Sequence, residues 1–293
     1  MSDFRRFPFT PARTDPAPRV TAALGYLPPD AERPVSYACE PPPGTPWESC
    51  GYAWHTMPIA DARQTPHKPS VDREGYTLCH APTAVTNFFD EEAIRQTYYA
   101  EAAALALAVT GARQAHVFDH LVRRREADRR TLSFGKRGVN GRAATNGRIH
   151  NDYTEASGLK RLALVLPDPA LAARVGRYGI VNVWRSISGP VRDTPLAVCD
   201  ARTVSTLDLV AGEVRYPRRT GEIYLARHAP RHRWAYFPQM DRDEALVFKQ
   251  YDSQVSGVAR LTLHAAFDLP DIPPDTPLRE SIELRCLVVY DQS

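Results

Sequence analysis

The sequence has little cysteine, and none of it is arranged to do chemistry. Cys39, Cys50, Cys79, Cys199 and Cys286 are scattered and odd in number, with no CxxC pair among them. That excludes a disulfide framework and a zinc-knuckle spacing, and it points to a reducing, cytoplasmic setting. Long apolar runs are missing too. Nothing approaches the roughly 18 residues that a membrane helix needs, and the opening MSDFRRFPFTPARTDP holds no apolar core of a secretory signal. Charge of one sign is also lacking, since 37 Lys and Arg stand against 34 Asp and Glu, a formal net charge of +3. The one basic cluster, Arg123-Arg124-Arg125 with Arg129-Arg130, is interrupted by Glu126 and Asp128. It reads as a solvated helix end or loop, and no nucleic-acid or membrane partner is expected.

What is present is proline at the start and β-structure at the end. Residues 1–80, with Pro28-Pro29 and Pro41-Pro42-Pro43, are expected to form an irregular wrapping segment with one or two short strands such as 51–59. A helix follows. Asn87 or Asp90 can cap it, Gly111 can close it, and Ile94, Tyr98, Ala102, Leu105, Ala106 and Val109 recur at helical spacing. Residues 115–118 read as a strand and 131–147 as a glycine-bearing loop. Short β runs then succeed one another at 149–153, 179–186, 196–200, 205–209, 222–226, 234–238, 245–250, 259–264 and 281–290. One helix, around 169–178, interrupts them. Many short strands without alternating helices predict a mainly β, antiparallel barrel or sandwich with flanking helices. The chain is read as a single domain over 1–293, with its catalytic core at 85–290.

His150-Asn151-Asp152 carries the chemistry. On a strand, residues two apart share a face, so this imidazole and carboxylate converge on one point. With one distant histidine they would form the facial set of two His and one carboxylate that leaves adjacent positions open on iron(II). His264, at the end of the apolar run 258–263, is the expected third ligand. His232 is held in reserve, and His228 is read as a surface residue. A carboxylate-bearing cosubstrate needs a cation, and an arginine fork suits it. Arg279 and Ser281 share a face at the start of the last strand, with Arg285 further along as the runner-up. The alternative for either arginine is an ion pair with Glu280 or Glu283. Tyr153, Trp184, Arg185, Trp234, Tyr236 and Lys249 lie on candidate barrel strands and are the substrate-lining candidates. Arg185, on an apolar strand, needs either an acidic substrate or a barrel carboxylate.

Several segments in order resemble the CmcJ/NvfI-like oxidoreductases, which include the cephamycin 7α-hydroxylation component and gibberellin-desaturase-like and AsaB-like proteins. They include Phe88-Phe89-Asp90-Glu91-Glu92, His150-Asn151-Asp152-Tyr153-Thr154 and Asn182-Val183-Trp184-Arg185. Others are the run from His232 through Trp234 and Tyr236 to Met240, then Phe248-Lys249-Gln250-Tyr251-Asp252, His264-Ala265-Ala266-Phe267 and Arg279-Glu280-Ser281. The resemblance implies a double-stranded β-helix, or jelly-roll, core of cupin type. It implies iron(II) as metal and 2-oxoglutarate and O2 as cosubstrates. Ligand roles would fall to His150, Asp152 and His264, and the 2-oxoglutarate role to Arg279. The reaction would be hydroxylation, desaturation or oxidative cyclisation of a small specialised metabolite, with release of succinate and CO2. The partner set is that small molecule and, at most, a second copy of the chain in a homodimer. The competing readings are a non-catalytic cupin-like binding protein and a metal-dependent oxygenase or isomerase that does not use 2-oxoglutarate.

Overall fold

The computed structural model describes residues 18–125 and 146–292. Most of the expected loop 131–147, with Arg129 and Arg130 just before it, lies outside the described residues. The strands are β1 (Arg19–Tyr26), β2 (Val35–Tyr37), β3 (Ala53–Asp61), β4 (Tyr76–His80), β5 (Gln114–Arg124) and β6 (His150–Asn151). They continue as β7 (Val175–Ser186), β8 (Leu196–Cys199), β9 (Leu209–Arg215), β10 (Thr220–Ala226), β11 (Trp234–Tyr236), β12 (Glu244–Asp252), β13 (His264–Ala266) and β14 (Glu280–Gln292).

Two sheets result. One runs β1-β3-β11-β8-β13-β6-β10-β9-β2 and the other β4-β12-β7-β14-β5. The four strands β5, β14, β7 and β12 face β6, β13, β8 and β11, which makes a jelly-roll. Alternation along β14 decides what each face meets. Ile282, Leu284, Cys286 and Val288 join Val181, Val183, Ala245 and Val247 in a core under the long helix. On the other face, between the sheets, Trp184, Leu246 and Phe248 pack on Leu196, Val198 and Ala235. Each such side chain contributes ~1.5–3 kcal/mol by leaving water.

The long helix is α1 (Glu91–Ala93), a π-helical stretch Ile94–Tyr98 and α2 (Tyr99–Thr110) in continuous succession. Asp90 caps it through its side chain, and Gly111 ends it at φ 71, a left-handed conformation that costs glycine nothing. Ile94, Tyr98, Ala102, Leu105 and Ala106 are buried as the periodicity predicts.

Five expectations change. The described part of the first segment, 18–80, holds more strand than expected: beside the anticipated β3, β1 pairs with it over eight residue pairs, and β3 runs parallel to β11 inside the large sheet. Pro58 is tolerated there because β11 begins opposite Ile59, so no partner on that side asks Pro58 for an N–H. The helix near 169–178 is α4 (Pro169–Ala173) alone, since β7 already starts at Val175; the larger helix is α3 (Glu155–Val165). Thr154 and Ser157 close a capping box at its start. Gly158 lets it approach Tyr251, whose ring a Cβ would meet at 2.5 Å. Residues 206–208 are a 3-10 turn before β9, and His264 begins its strand rather than ending one. The basic cluster begins in a strand rather than in a loop or helix end: β5 carries Arg123 and Arg124 to its end, and Arg125 follows outside it.

Candidate metal centre

Asn151 sets the geometry of the site. Its side-chain amide donates to the carbonyls of Tyr153 (2.7 Å) and Gln250 (2.9 Å), and its oxygen accepts from the Thr262 N–H (3.3 Å). Held outward in this way, it turns His150 and Asp152 together into the space between the sheets. β13 lies against β6 with His264 directly opposite His150, the rings 4.2 Å apart by centroid. One ligand atom from each of His150, Asp152 and His264 lies within 4.8 Å of the others.

The tautomers follow from the partners. His150 Nδ1 is 2.8 Å from the Arg148 carbonyl and His264 Nδ1 is 3.2 Å from the Thr262 carbonyl. A carbonyl only accepts, so each Nδ1 carries the proton and each Nε2 keeps its lone pair for a metal. Burial, reinforced by the neighbouring His150, pushes His264 down to about 3, which keeps it neutral. Burial works to raise the Asp152 carboxyl, but Arg285 above all, with His150 and His264, holds it well below the usual carboxylate range. Two imidazoles and one carboxylate form a donor set that suits ferrous iron.

Ser281 lies on the same face of β14 as Arg285, and Arg279 immediately precedes the strand. Arg279 is 3 % exposed, its Nη1 donates to the Thr194 carbonyl (2.6 Å), and its guanidinium lies 5.5 Å from the Trp184 ring centre. Its Nε and the Ser281 hydroxyl are buried without a hydrogen-bond partner among the described residues. Burial pushes Arg279 down to about 10. A buried donor left unmade costs ~1–3 kcal/mol, and an anion with more than one oxygen could satisfy both of these donors. Arg123, opposite Ser281 in the ladder, adds a second inward cation, lowered chiefly by burial.

The other expected residues divide. Trp184 faces this interior, and Tyr153 packs into its far end with Ile180 and Leu287, where burial raises its hydroxyl to about 12. Arg285 is not the second anchor for a cosubstrate, because its three nitrogens are engaged with Asp152 (2.9 Å), Asp119 (2.9 Å) and Glu283 (3.1 Å). Arg185 points the other way, under the helix. Its Nε donates to the Tyr98 hydroxyl (2.8 Å) and its Nη1 to the Arg242 carbonyl (3.1 Å), which is the partner it needed. Lys249 is buried between Asp72 (2.6 Å) and Asp252 (2.7 Å). Trp234 donates to the Tyr26 hydroxyl, and Tyr236 meets the Phe267 ring edge-on, both on the opposite face of the large sheet. These four line no part of the metal centre. His232, the reserve ligand, bonds the Tyr26 hydroxyl and Asp208 instead, and His228, partly exposed, stacks on His55.

The comparisons with known proteins decide the family. Residues 24–289 match the family described as Oxidoreductase/YMDC permease-like domain. The hydroxylase/desaturase efuI of Hormonema carpetanum is 33% identical over 263 residues, 81% of this chain and 85% of that protein. The chain belongs to this family of oxidoreductases. Its relatives include the Fe(II)/2-oxoglutarate-dependent dioxygenase nvfI of Aspergillus novofumigatus, 29% identical over 272 residues, 90% of this chain and 94% of that one. A solved structure of the iron and alpha-ketoglutarate-dependent endoperoxidase NvfI in a different conformation superposes with a TM-score of 0.81 at 27% identity. It covers 93% of this chain and 98% of its own. The jelly-roll is therefore the family's fold.

Sequence reasoning missed Asn182, Gln250 and Asp119, which surround Asp152 and its arginine; Glu283 was anticipated as an ion-pair partner of Arg285. The signal was available in part: Asn182 is a polar residue inside an otherwise apolar strand.

Proposed function

We propose that the protein is an iron(II)- and 2-oxoglutarate-dependent dioxygenase that oxidises a small specialised metabolite, with His150, Asp152 and His264 as metal ligands. Arg279 and Ser281 would take the distal carboxylate of 2-oxoglutarate. The observation that carries this reading is the pair of buried donors on Arg279 and Ser281 without a hydrogen-bond partner among the described residues, at the start of the strand whose Arg285 holds Asp152.

When bound, iron with 2-oxoglutarate and O2 supplies the oxidation of a C–H bond, with succinate and CO2 as by-products. The chain's own contribution is geometry and exclusion of water. The carbonyls of Arg148 and Thr262 orient the two imidazoles. Arg279 Nε and Ser281 Oγ bind and orient the far end of the cosubstrate. Phe248, whose ring centre is 4.8 Å from that of His264, and Trp184, Leu196 and Val198 keep the interior dry. Hydroxylation, desaturation and cyclisation all need these same parts. A cytoplasmic location is in keeping with five cysteines of which none is in a disulfide, and among the described residues no helix is long and apolar enough to cross a membrane.

The test is substrate-independent turnover. With iron(II), 2-oxoglutarate and O2, the protein should form succinate slowly, and His150→Ala should abolish this. Succinate formation that survives in His150→Ala would remove the ligand assignment.

A further inference from the structure

The carboxylate of Asp152 has two oxygens, and the surroundings treat them differently. Oδ2 accepts from Asn182 Nδ2 at 2.9 Å and from Arg285 Nε at 2.9 Å. A carboxylate oxygen has two lone pairs in its plane, so Oδ2 is fully engaged. Oδ1 lies 3.4 Å from His150 Nε2 and is the oxygen turned to the imidazoles. The Asp152 N–H donates to Gln250 Oε1 at 2.7 Å and fixes the main chain from the other side.

Arg285 is itself held firmly. Nη1 donates to Asp119 at 2.9 Å and Nη2 to Glu283 at 3.1 Å, so three carboxylates surround one guanidinium. Burial works to lower Arg285, but Asp152, Glu283 and Asp119 outweigh it and raise its pKa well above the ordinary value. Asn182 stands directly opposite Arg285 in the β7–β14 ladder, so the two donors reach Asp152 from adjacent strands.

We propose that Arg285 and Asn182 are positioning residues that confine Asp152 to binding iron through Oδ1 alone, an inference that rests on the metal reading above. The coordination count shows why this matters. Two imidazoles and a carboxylate bound through both oxygens fill four of six positions, and chelating 2-oxoglutarate fills the other two. One-oxygen binding leaves a sixth position for O2. A carboxylate freed from its clamp can rotate its second oxygen onto the metal and close that position.

Nitric oxide, which occupies the O2 position without reacting onward, reads this directly. Wild-type protein loaded anaerobically with iron(II) and 2-oxoglutarate should bind nitric oxide and give a high-spin electron paramagnetic resonance signal. In Asn182→Leu, nearly isosteric and without the donor, and in Arg285→Lys, which keeps the charge but loses the fork, nitric oxide affinity per bound iron should fall about tenfold or more. Should Arg285→Lys fail to fold, Asn182→Leu alone carries the test. A merely structural role would lower thermal stability or iron occupancy but leave nitric oxide affinity per bound iron unchanged. Variants that bind iron and 2-oxoglutarate and take up nitric oxide as the wild type does would overturn the inference. So would loss of iron altogether, which would make the clamp a condition for binding rather than for an open position. Wild-type protein that binds no iron would instead overturn the metal reading beneath it.

Discussion

The inner face of β14 has two ends that are built on opposite principles. Around Arg285, donors and acceptors are matched: each guanidinium nitrogen meets a carboxylate, of Asp152, Asp119 or Glu283, and the amide of Asn182 adds a second hydrogen bond to Asp152. Around Arg279, a guanidinium of the same kind is buried with its Nε and the neighbouring Ser281 hydroxyl unmatched. A set of groups that must hold one resident ligand steady is satisfied within the protein. A set that must receive and release a visiting anion is left unsatisfied until the visitor arrives. Arg279 immediately precedes β14 and Arg285 lies within it; on the proposed reading, only their neighbours assign the roles.

Substitutions should separate the two ends. The largest effect is expected from Asp152→Ala or His264→Ala, which remove a ligand. Iron binding, measured by anaerobic titration, should weaken by more than the ~10–100-fold that loss of an outer partner costs. Next is Arg279→Ala. It should leave iron binding intact and weaken 2-oxoglutarate binding by ~1.5–3 kcal/mol, about tenfold to a hundredfold in Kd, as for a lost charged hydrogen bond. If calorimetry shows an unchanged Kd for 2-oxoglutarate, the two-ended account of β14 fails. Ser281→Ala should cost ~0.5–1.5 kcal/mol of the same affinity. In the cosubstrate-free protein it should lower Tm little or raise it, because it removes a hydroxyl that has no partner. Arg185→Met should do nothing to the Kd of 2-oxoglutarate and should lower Tm, since its hydrogen bonds serve the helix-covered face. A raised Kd in that variant would place Arg185 back at the site.

A further contrast lies in pH. The Asp252 carboxyl, which burial works to raise, is held below its ordinary value by Arg177 and Lys249. A depressed carboxyl contributes stability that is complete above the unfolded value and is lost as pH falls through the folded one. Lys249→Met should therefore lower Tm at neutral pH and flatten its acid dependence, and thermal melts from neutral to acid pH check this.

How far the site could be read from sequence depended on whether one strand held the answer. His150 and Asp152 were legible because a spacing of two on a strand is enough to bring them together. Arg279, Ser281 and Arg285 were legible as one face for the same reason. Arg185 and Lys249 were not, because which way a residue points on β7 or β12 depends on the ladder to its neighbours, with a bulge between Lys249 and Tyr251. The division of labour between Arg279 and Arg285 was hidden as well. It rests on Asp119, Asn182 and Asp152, which reach β14 from three separate parts of the chain. The fold class followed from the many short strands, and β3 was anticipated at 51–59, whereas β1 and β2 were obscured by proline. α3 was obscured because its leucines do not gather on one buried stripe: Leu159 and Leu164 are exposed.

The central claim is that β14 and the residue before it serve iron through Arg285 and 2-oxoglutarate through Arg279. The direct measurement is the visible absorption of anaerobic protein titrated first with iron(II) and then with 2-oxoglutarate. The account predicts a charge-transfer band that appears only with both, at one iron per chain. It predicts that the band is lost in Asp152→Ala and shifted to higher 2-oxoglutarate concentration in Arg279→Ala. A wild-type protein that binds iron but shows no band, or a band that persists unchanged in Asp152→Ala, would contradict it.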